Sequence, residues 1–306
     1  MPVEDLKIIP CPPQQLAEAL ALVLSDVAPG QRRAIAGQLL DVNNPTDLTN
    51  EPLLVALRNG RLCGAAWGQR QPGHIAVFWP AQLVAGENEI TALLLTEACV
   101  RVMDETAIEL TQALLSSRTA PPIPVLEAIG FTHLADLLYM SCEAGRFTAA
   151  APTSPDLKYL DYNPSRRNRF IEVIGQTYEK SLDCAALNGM RTIENVISGY
   201  QDTGVFRPEN WLLVQARGQD AGVLLLADHP NAGHWELVYM GLVPGARRQG
   251  WGRQIAQYAQ WLARVHKVQR IVVAVDAANT PAVRMYRLTG FEIWDRRTVY
   301  VRFRPA

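Results

Sequence analysis

The chain runs through one order of elements twice, and this repeat limits its fold more than any other feature. Gly130-Phe131 and Gly290-Phe291 lie 160 residues apart, and His74 and His234 keep the same spacing. In the first half LLVAL, RNGR and LCGAAWG read as strand, turn and strand; WLLVQA, RGQD and AGVLLLA do so in the second. Two helical segments precede each hairpin, about 13–41 in the first half and 164–181 plus 192–202 in the second. In the later set Phe170, Val173, Ile174 and Tyr178 recur at helical spacing. After each hairpin the pattern predicts a strand, a helix, a strand, a short helix, and a last strand following Gly-Phe. A repeat of this length implies duplication of one domain. Helices mixed with strands in this order imply an α/β fold of two tandem domains, each a mixed, mostly antiparallel sheet flanked by helices. Residues 143–158 are rich in Ala, Pro, Ser and Thr and lack periodicity. They set the expected domains at 1–145 and 158–306, with 146–157 as linker.

Composition narrows the class. Hydrophobic residues make up 48% and charged residues 19%, which suits a soluble globular protein and is too apolar for disorder. The start, MPVEDLKIIP, has no basic region before an apolar core and predicts no signal peptide. No uninterrupted apolar run is long enough for a membrane span. Cysteines 11, 63, 99, 142 and 184 are odd in number and widely spaced, as expected of buried thiols in a reducing, cytoplasmic setting. No CxxC or HExxH occurs, so no metal is expected. Charge is uneven: residues 241–306 hold 12 Arg or Lys against 3 Asp or Glu, in a chain of net charge −1. A basic stretch in an otherwise acidic chain points to a local anionic ligand rather than to nucleic acid.

The chemistry concentrates in HWELVYMGLVPGARRQGWGRQIAQYAQWLARV, residues 234–265. An apolar strand runs into Pro244-Gly245-Ala246. Arg247-Arg248-Gln249-Gly250-Trp251-Gly252 follows, then a helix with Ile255, Tyr258, Ala259 and Leu262 on one face. A glycine-containing loop opening a helix presents free backbone N–H groups and the positive end of the helix dipole, which together hold phosphate. The same loop can also be a tight turn that packs helix on strand. It is not G-x-G-x-x-G after a first strand, and no G-K-[ST] follows, so neither the dinucleotide nor the Walker pattern applies.

Arg247, Gly250 and Gly252 fall on [Arg/Gln]-x-x-Gly-x-[Gly/Ala]. Downstream come Val275-Asp276, Asn279, Ala282-Val283, Tyr286 and Gly290-Phe291. These two signatures in order resemble the GNAT superfamily of acyl-CoA-dependent N-acyltransferases. The resemblance covers about residues 155–306. It implies that the amides of Arg248, Gln249, Gly250, Trp251 and Gly252 cradle the pyrophosphate of acetyl-CoA or another short acyl-CoA, with Arg247 adding charge. Leu242 and Val243 would bond the pantetheine arm, Asn279 would touch it, and Tyr286 would protonate the departing thiolate. Glu236 is the expected base for the acceptor amine, and His234, two residues away on the same strand face, is its rival. The implied reaction is transfer of an acetyl group to a primary amine of a small molecule or peptide by direct attack. The alternative is a non-catalytic acyl-CoA-binding or sensing protein on the same fold.

The 160-residue offset then tests the first half. It pairs Arg247, Arg248 and Gln249 with Glu87, Asn88 and Glu89, and Gly250 and Gly252 with Ile90 and Ala92. Glu236 meets Ala76 and Tyr286 meets Leu126. The first copy therefore reads as a degenerate domain that keeps its core and has lost its site. Tandem organisation with a degenerate first copy is similar to the mycothiol synthase group of the superfamily.

Overall fold

The computed structural model describes residues 6–27, 32, 52–71, 73–116, 122–152, 156–184, 190 and 192–304. It divides into two compact units: Met1–Leu134 with Thr298–Ala306, and Ala135–Arg297. These packing units cut the chain differently from the sequence repeat. Residues 135–143 of the first half fall with the second unit, and residues 298–306 of the second half with the first.

In the first unit β1 (Leu6–Pro10), β2 (Leu53–Arg58), β3 (Arg61–Gln71), β4 (Ile75–Leu83) and β5 (Leu110–Ser116) lie side by side in that order. The carboxy-terminal part of β12 (Glu292–Phe303) lies beside β5. Helices α1 (Leu16–Val23), α2 (Glu89–Asp104) and α3 (Ile123–Ala128) complete it. Of the long helical segment expected over 13–41, residues 28–31 and 33–41 lie outside the described residues. In the second unit the order is β6 (Thr132–Glu143), β11 (Arg270–Asp276), β10 (His234–Leu242), β9 (Gln219–His229), β8 (Trp211–Ala216) and β7 (Leu157–Asp161). Its helices are α4 (Arg167–Tyr178), α5 (Ile193–Gln201), α6 (Trp251–Val265) and α7 (Thr280–Leu288). The mixed sheet is antiparallel at β2–β3, β3–β4, β8–β9 and β9–β10, and parallel at β4–β5 and β10–β11.

Burial explains the sequence pattern. AGVLLLA does not alternate because both faces of β9 are covered. Val223 and Leu225 enter one core with Phe170, Val173 and Ile174. Leu224 and Leu226 enter another with Ile255 and Ala259. In the first unit Ala65 and Trp67 of β3 pack with Leu20 and Val23 of α1, while Cys63 and Ala66 pack with Leu95 of α2.

The repeat survives in structure, but not at one offset. β9 begins 158 residues after β3 (219 against 61), β10 159 after β4 (234 against 75), and β11 160 after β5 (270 against 110). His74 therefore sits in the turn before β4 and is not the counterpart of His234, and Val77 rather than Ala76 matches Glu236. The cause is loop length. The connection between β3 and β4 has three residues, 72–74, and that between β9 and β10 four, 230–233. The first half then crosses from β4 to α2 in the five residues 84–88, and the second from β10 to α6 in the eight residues 243–250. α6 therefore begins 162 residues after α2 (251 against 89), and Gly250 and Gly252 match Asn88 and Ile90 rather than Ile90 and Ala92.

Arg302 anchors the end of β12 within the first unit. Its guanidinium donates to Asp104 Oδ1 and Oδ2 at 2.6 and 2.8 Å and to the Ile129 carbonyl at 3.2 Å. A bidentate charge-assisted pair that is mostly buried is among the stronger polar contacts. Arg302→Ala is expected to destabilise the protein by about 1–3 kcal/mol. Urea denaturation followed by fluorescence checks this, and an unchanged midpoint contradicts it.

Candidate functional site

The site is built where β10 parts from β11. The parallel pairing covers only Trp235↔Ile271 and Glu236↔Val272, although both strands run on to Leu242 and Asp276. On its other edge β10 stays paired with β9 as far as Leu242↔Gly222. Between Leu237 and Tyr239 that register shifts, leaving Val238 as an extra residue. Such a bulge bends one strand away from its neighbour. Beyond Glu236 the edge of β10 facing β11 is therefore open, and an extended ligand carrying amides could add there as a strand would.

At the end of this split the chain turns through 243–250 into α6. Arg248 and Gly250 both adopt left-handed backbone, with φ of 63° and 77°. Alternating left- and right-handed residues turn successive N–H groups to one side and form an anion-binding concavity. The N–H groups of Arg248, Gln249 and Gly250 donate no hydrogen bond among the described residues. Those of Trp251 and Gly252 head the helix, whose N-cap, Gly250, offers no side-chain cap. Five consecutive donors thus lack an acceptor among the described residues. A Cβ at Gly252 would meet only Leu242 Cδ1, at 3.9 Å. The protein does not itself require that glycine, and the space it leaves suits a phosphate group approaching the backbone.

The structure revises the role expected of Arg247. Its guanidinium donates to four carbonyls: Leu242 at 3.0 Å, Thr177 at 2.9 Å, Glu179 at 2.8 Å and Lys180 at 3.0 Å. Those bonds spend the donors that would have met a phosphate. Arg247 instead ties the end of β10 to the carbonyl-rich end of α4, where a cation is favoured. The strand end is similarly committed, since Leu242 gives its carbonyl to Arg247 and the Val243 N–H bonds Ala221 O at 2.9 Å. The packing here is close. A Cβ on Gly241 would lie 2.8 Å from Thr177 Oγ1 and 2.7 Å from the Tyr239 hydroxyl.

Glu236 is half-buried and pairs with His229, its Oε2 3.0 Å from Nε2. His229 stacks on His234, ring centroids 4.9 Å apart. The sequence reading missed His229, which closes β9 opposite His234 across the hairpin. Burial lowers the pKa of His234, which favours its neutral form. Tyr286 is buried on α7 with its ring edge-on to Phe291. Burial, and then the carboxylate of Asp183, hold its phenol above the ordinary range, so it stays protonated and able to donate. Asn279 caps α7, its Oδ1 accepting the Ala282 N–H at 3.3 Å. Asp183, also absent from the sequence reading, accepts the Asp276 N–H at 3.1 Å at the mouth of the split.

The first unit shows what closing such a site looks like. β4 and β5 part after Val77↔Gln112, so the split remains. At the head of α2, Asn88 Oδ1 accepts the Ile90 N–H at 3.0 Å and Glu87 Oε1 accepts the Asn88 N–H at 3.1 Å. Glu87 is held in turn by Arg58 at 2.8 and 3.1 Å and by Thr91 Oγ1 at 2.8 Å. The chain supplies its own carboxylate where the second unit leaves donors open.

Comparison with known proteins places these features. Residues 184–291 match the model of the Acetyltransferase (GNAT) family. A mycothiol acetyltransferase of Beutenbergia cavernae is 27% identical over 196 residues, 60% of this chain and 65% of that protein. One from an Arthrobacter species is 32% identical over 100 residues, 31% of each chain. The chain thus spans less than two thirds of the length of these curated relatives. Among solved structures, a GCN5-related N-acetyltransferase from Sphaerobacter thermophilus superposes with TM-score 0.68 at 14% identity, covering 100% of this chain and 98% of that one. A tandem GNAT protein from the clavulanic acid biosynthesis pathway gives 0.56 at 13% identity over 98% and 99%. At such identities the likeness is one of fold.

Two outcomes follow for the two helix heads. Gly250→Glu puts a side chain at a φ of 77° and a carboxylate among the five donors. It is expected to lower CoA affinity at least about a hundredfold, read by calorimetry on folded protein; unchanged affinity contradicts the cradle. In the first unit Arg58, foremost, holds the Glu87 pKa down to about 2 from an ordinary 4.5. The stabilisation is complete above about pH 4.5 and is lost as pH falls toward about 2. Glu87→Gln should flatten the acid limb of stability in that window. An identical limb in the variant contradicts this assignment.

Proposed function

Because this chain carries a GNAT-family domain over residues 184–291, we propose that it is an acyl-CoA-dependent N-acyltransferase. It moves an acetyl group from acetyl-CoA to a primary amine of a small molecule or peptide. The observation that carries the reading is the row of N–H groups from Arg248 to Gly252, unpartnered among the described residues, at the end of a split strand pair. A diphosphate would take those donors. The pantetheine arm would run along the open edge of β10, placing the thioester between β10 and α7. The relatives in Beutenbergia and Arthrobacter are named mycothiol acetyltransferases, which supports an amine acceptor without fixing which one.

The reaction needs a neutral amine, because an ammonium has no lone pair. Glu236 takes the proton, with His229 holding its carboxylate in place at 3.0 Å. The amine nitrogen attacks the thioester carbonyl, the carbon–sulfur bond breaks, and the sulfur leaves with the electron pair. Tyr286 gives the thiolate its proton. A phenol kept protonated by burial suits that task, since it is not spent at neutral pH. Asn279 and Asp183 fix the start of α7 and the end of β11, and so the place of Tyr286. An acyl-CoA sensor would need the cradle alone and would leave Glu236 and Tyr286 without a task.

Thiol release from acetyl-CoA, measured with and without a pool of amines, tests the reading. Amine-dependent release supports it, and none with any amine favours sensing. With an active acceptor in hand, Tyr286→Phe should lower kcat by roughly 10²–10⁴ while CoA affinity changes little. An unaltered rate with chemistry rate-limiting removes Tyr286 from the mechanism. Glu236→Gln should abolish the low-pH limb of the rate profile, because that limb reports protonation of the base. Survival of the limb there and its loss in His234→Gln transfers the role to His234.

A further inference from the structure

The first unit keeps a cavity of about 530 Å³ at the position that matches the split of the second. Its walls come from the end of β4 (Leu83), the first turns of α2 and the start of α3 (Val125, Leu126). On α2 the lining residues Glu89, Ala92 and Thr96 follow at spacings of three and four and so form one stripe. The volume falls in the range of small-molecule pockets.

Its chemistry differs from that of the second unit. The head of α2 is closed by Asn88 and by the carboxylate of Glu87, which take up the Ile90 and Asn88 N–H groups. None of the twelve lining residues is basic. Two carboxylates, Asp26 and Glu89, line the cavity, and neither has an ion-pair partner among the described residues. Deeper in lies Thr96, 1% exposed. The cavity thus offers apolar wall and, at its rim, the exposed carboxylates of Asp26, which accepts the Gln82 amide at 3.3 Å, and Glu89.

We propose that the first unit is a binding site in its own right, selective for an apolar ammonium: an alkyl chain ending in a cationic amine. The chain lies between Leu83, Val125 and Leu126, and the ammonium is held by Asp26 and Glu89. An acyl-CoA is refused because its diphosphate meets carboxylates and a closed helix head. The proposal does not depend on the acyltransferase reading, since it concerns binding to the first unit alone.

Calorimetry of the full chain without CoA, using octylammonium, octan-1-ol and octanoate, tests it. Octylammonium should bind with Kd of about 0.01–1 mM, an ordinary range for a ligand of about nine heavy atoms. Octanol should bind about tenfold more weakly and octanoate not measurably. Ala92→Phe should fill the cavity and abolish octylammonium binding. Glu89→Lys, at an exposed helix position, should shift preference toward octanoate. Thermal denaturation confirms that each variant is folded. Equal binding of octanoate and octylammonium, or octylammonium binding that is the same in Ala92→Phe and Glu89→Lys as in the parent, overturns the proposal.

Discussion

The grip of Arg247 on four backbone carbonyls is the interaction on which the second unit's site depends. A guanidinium is planar, always charged and presents five donors in a fixed fork, so it can join carbonyls from separate segments at once. Here it joins the end of β10 to the end of α4. Held there, the loop that follows reaches α6 with two left-handed residues and its N–H groups turned outward. An ammonium could not match this geometry. The charge of the motif's arginine is spent on shaping the backbone, and the backbone N–H groups are left open.

The first unit makes the same point by contrast. It retains the parting strands and the helix, but its connecting loop is shorter and carries no equivalent of Arg247. Glu87 and Asn88 cap the helix from within, and Arg58 fixes the carboxylate. One ancestral plan has been resolved two ways: open donors in one copy, internal capping in the other. What differs is a few polar groups at a helix end, while the apolar cores above and below the sheet persist.

What the sequence revealed was what is local. The R-x-x-G-x-G loop could be placed on a strand–helix junction because glycine and arginine act there within a few residues. The hairpins LLVAL–LCGAAWG and WLLVQA–AGVLLLA were legible from their apolar runs and turns. Non-local features were not. The carbonyl partners of Arg247 around Lys180 lie some 67–70 residues away in sequence. His229 meets Glu236 across a hairpin, and no spacing announces it. The strands Leu6–Pro10 and Leu157–Asp161 are five residues each, too short to show alternation. The even offset of 160 failed because the loops differ in length: the register is 158 to 159 across the hairpin strands and 162 at the long helices (251 against 89).

The acyl-CoA site proposed for the second unit has no counterpart at the first unit's internally capped helix head. Titration of the full chain with acetyl-CoA by calorimetry tests this most directly. One site per chain is the predicted result. Two sites per chain, with the second lost on changing residues 84–92, would contradict the account and make both units acyl-CoA receptors.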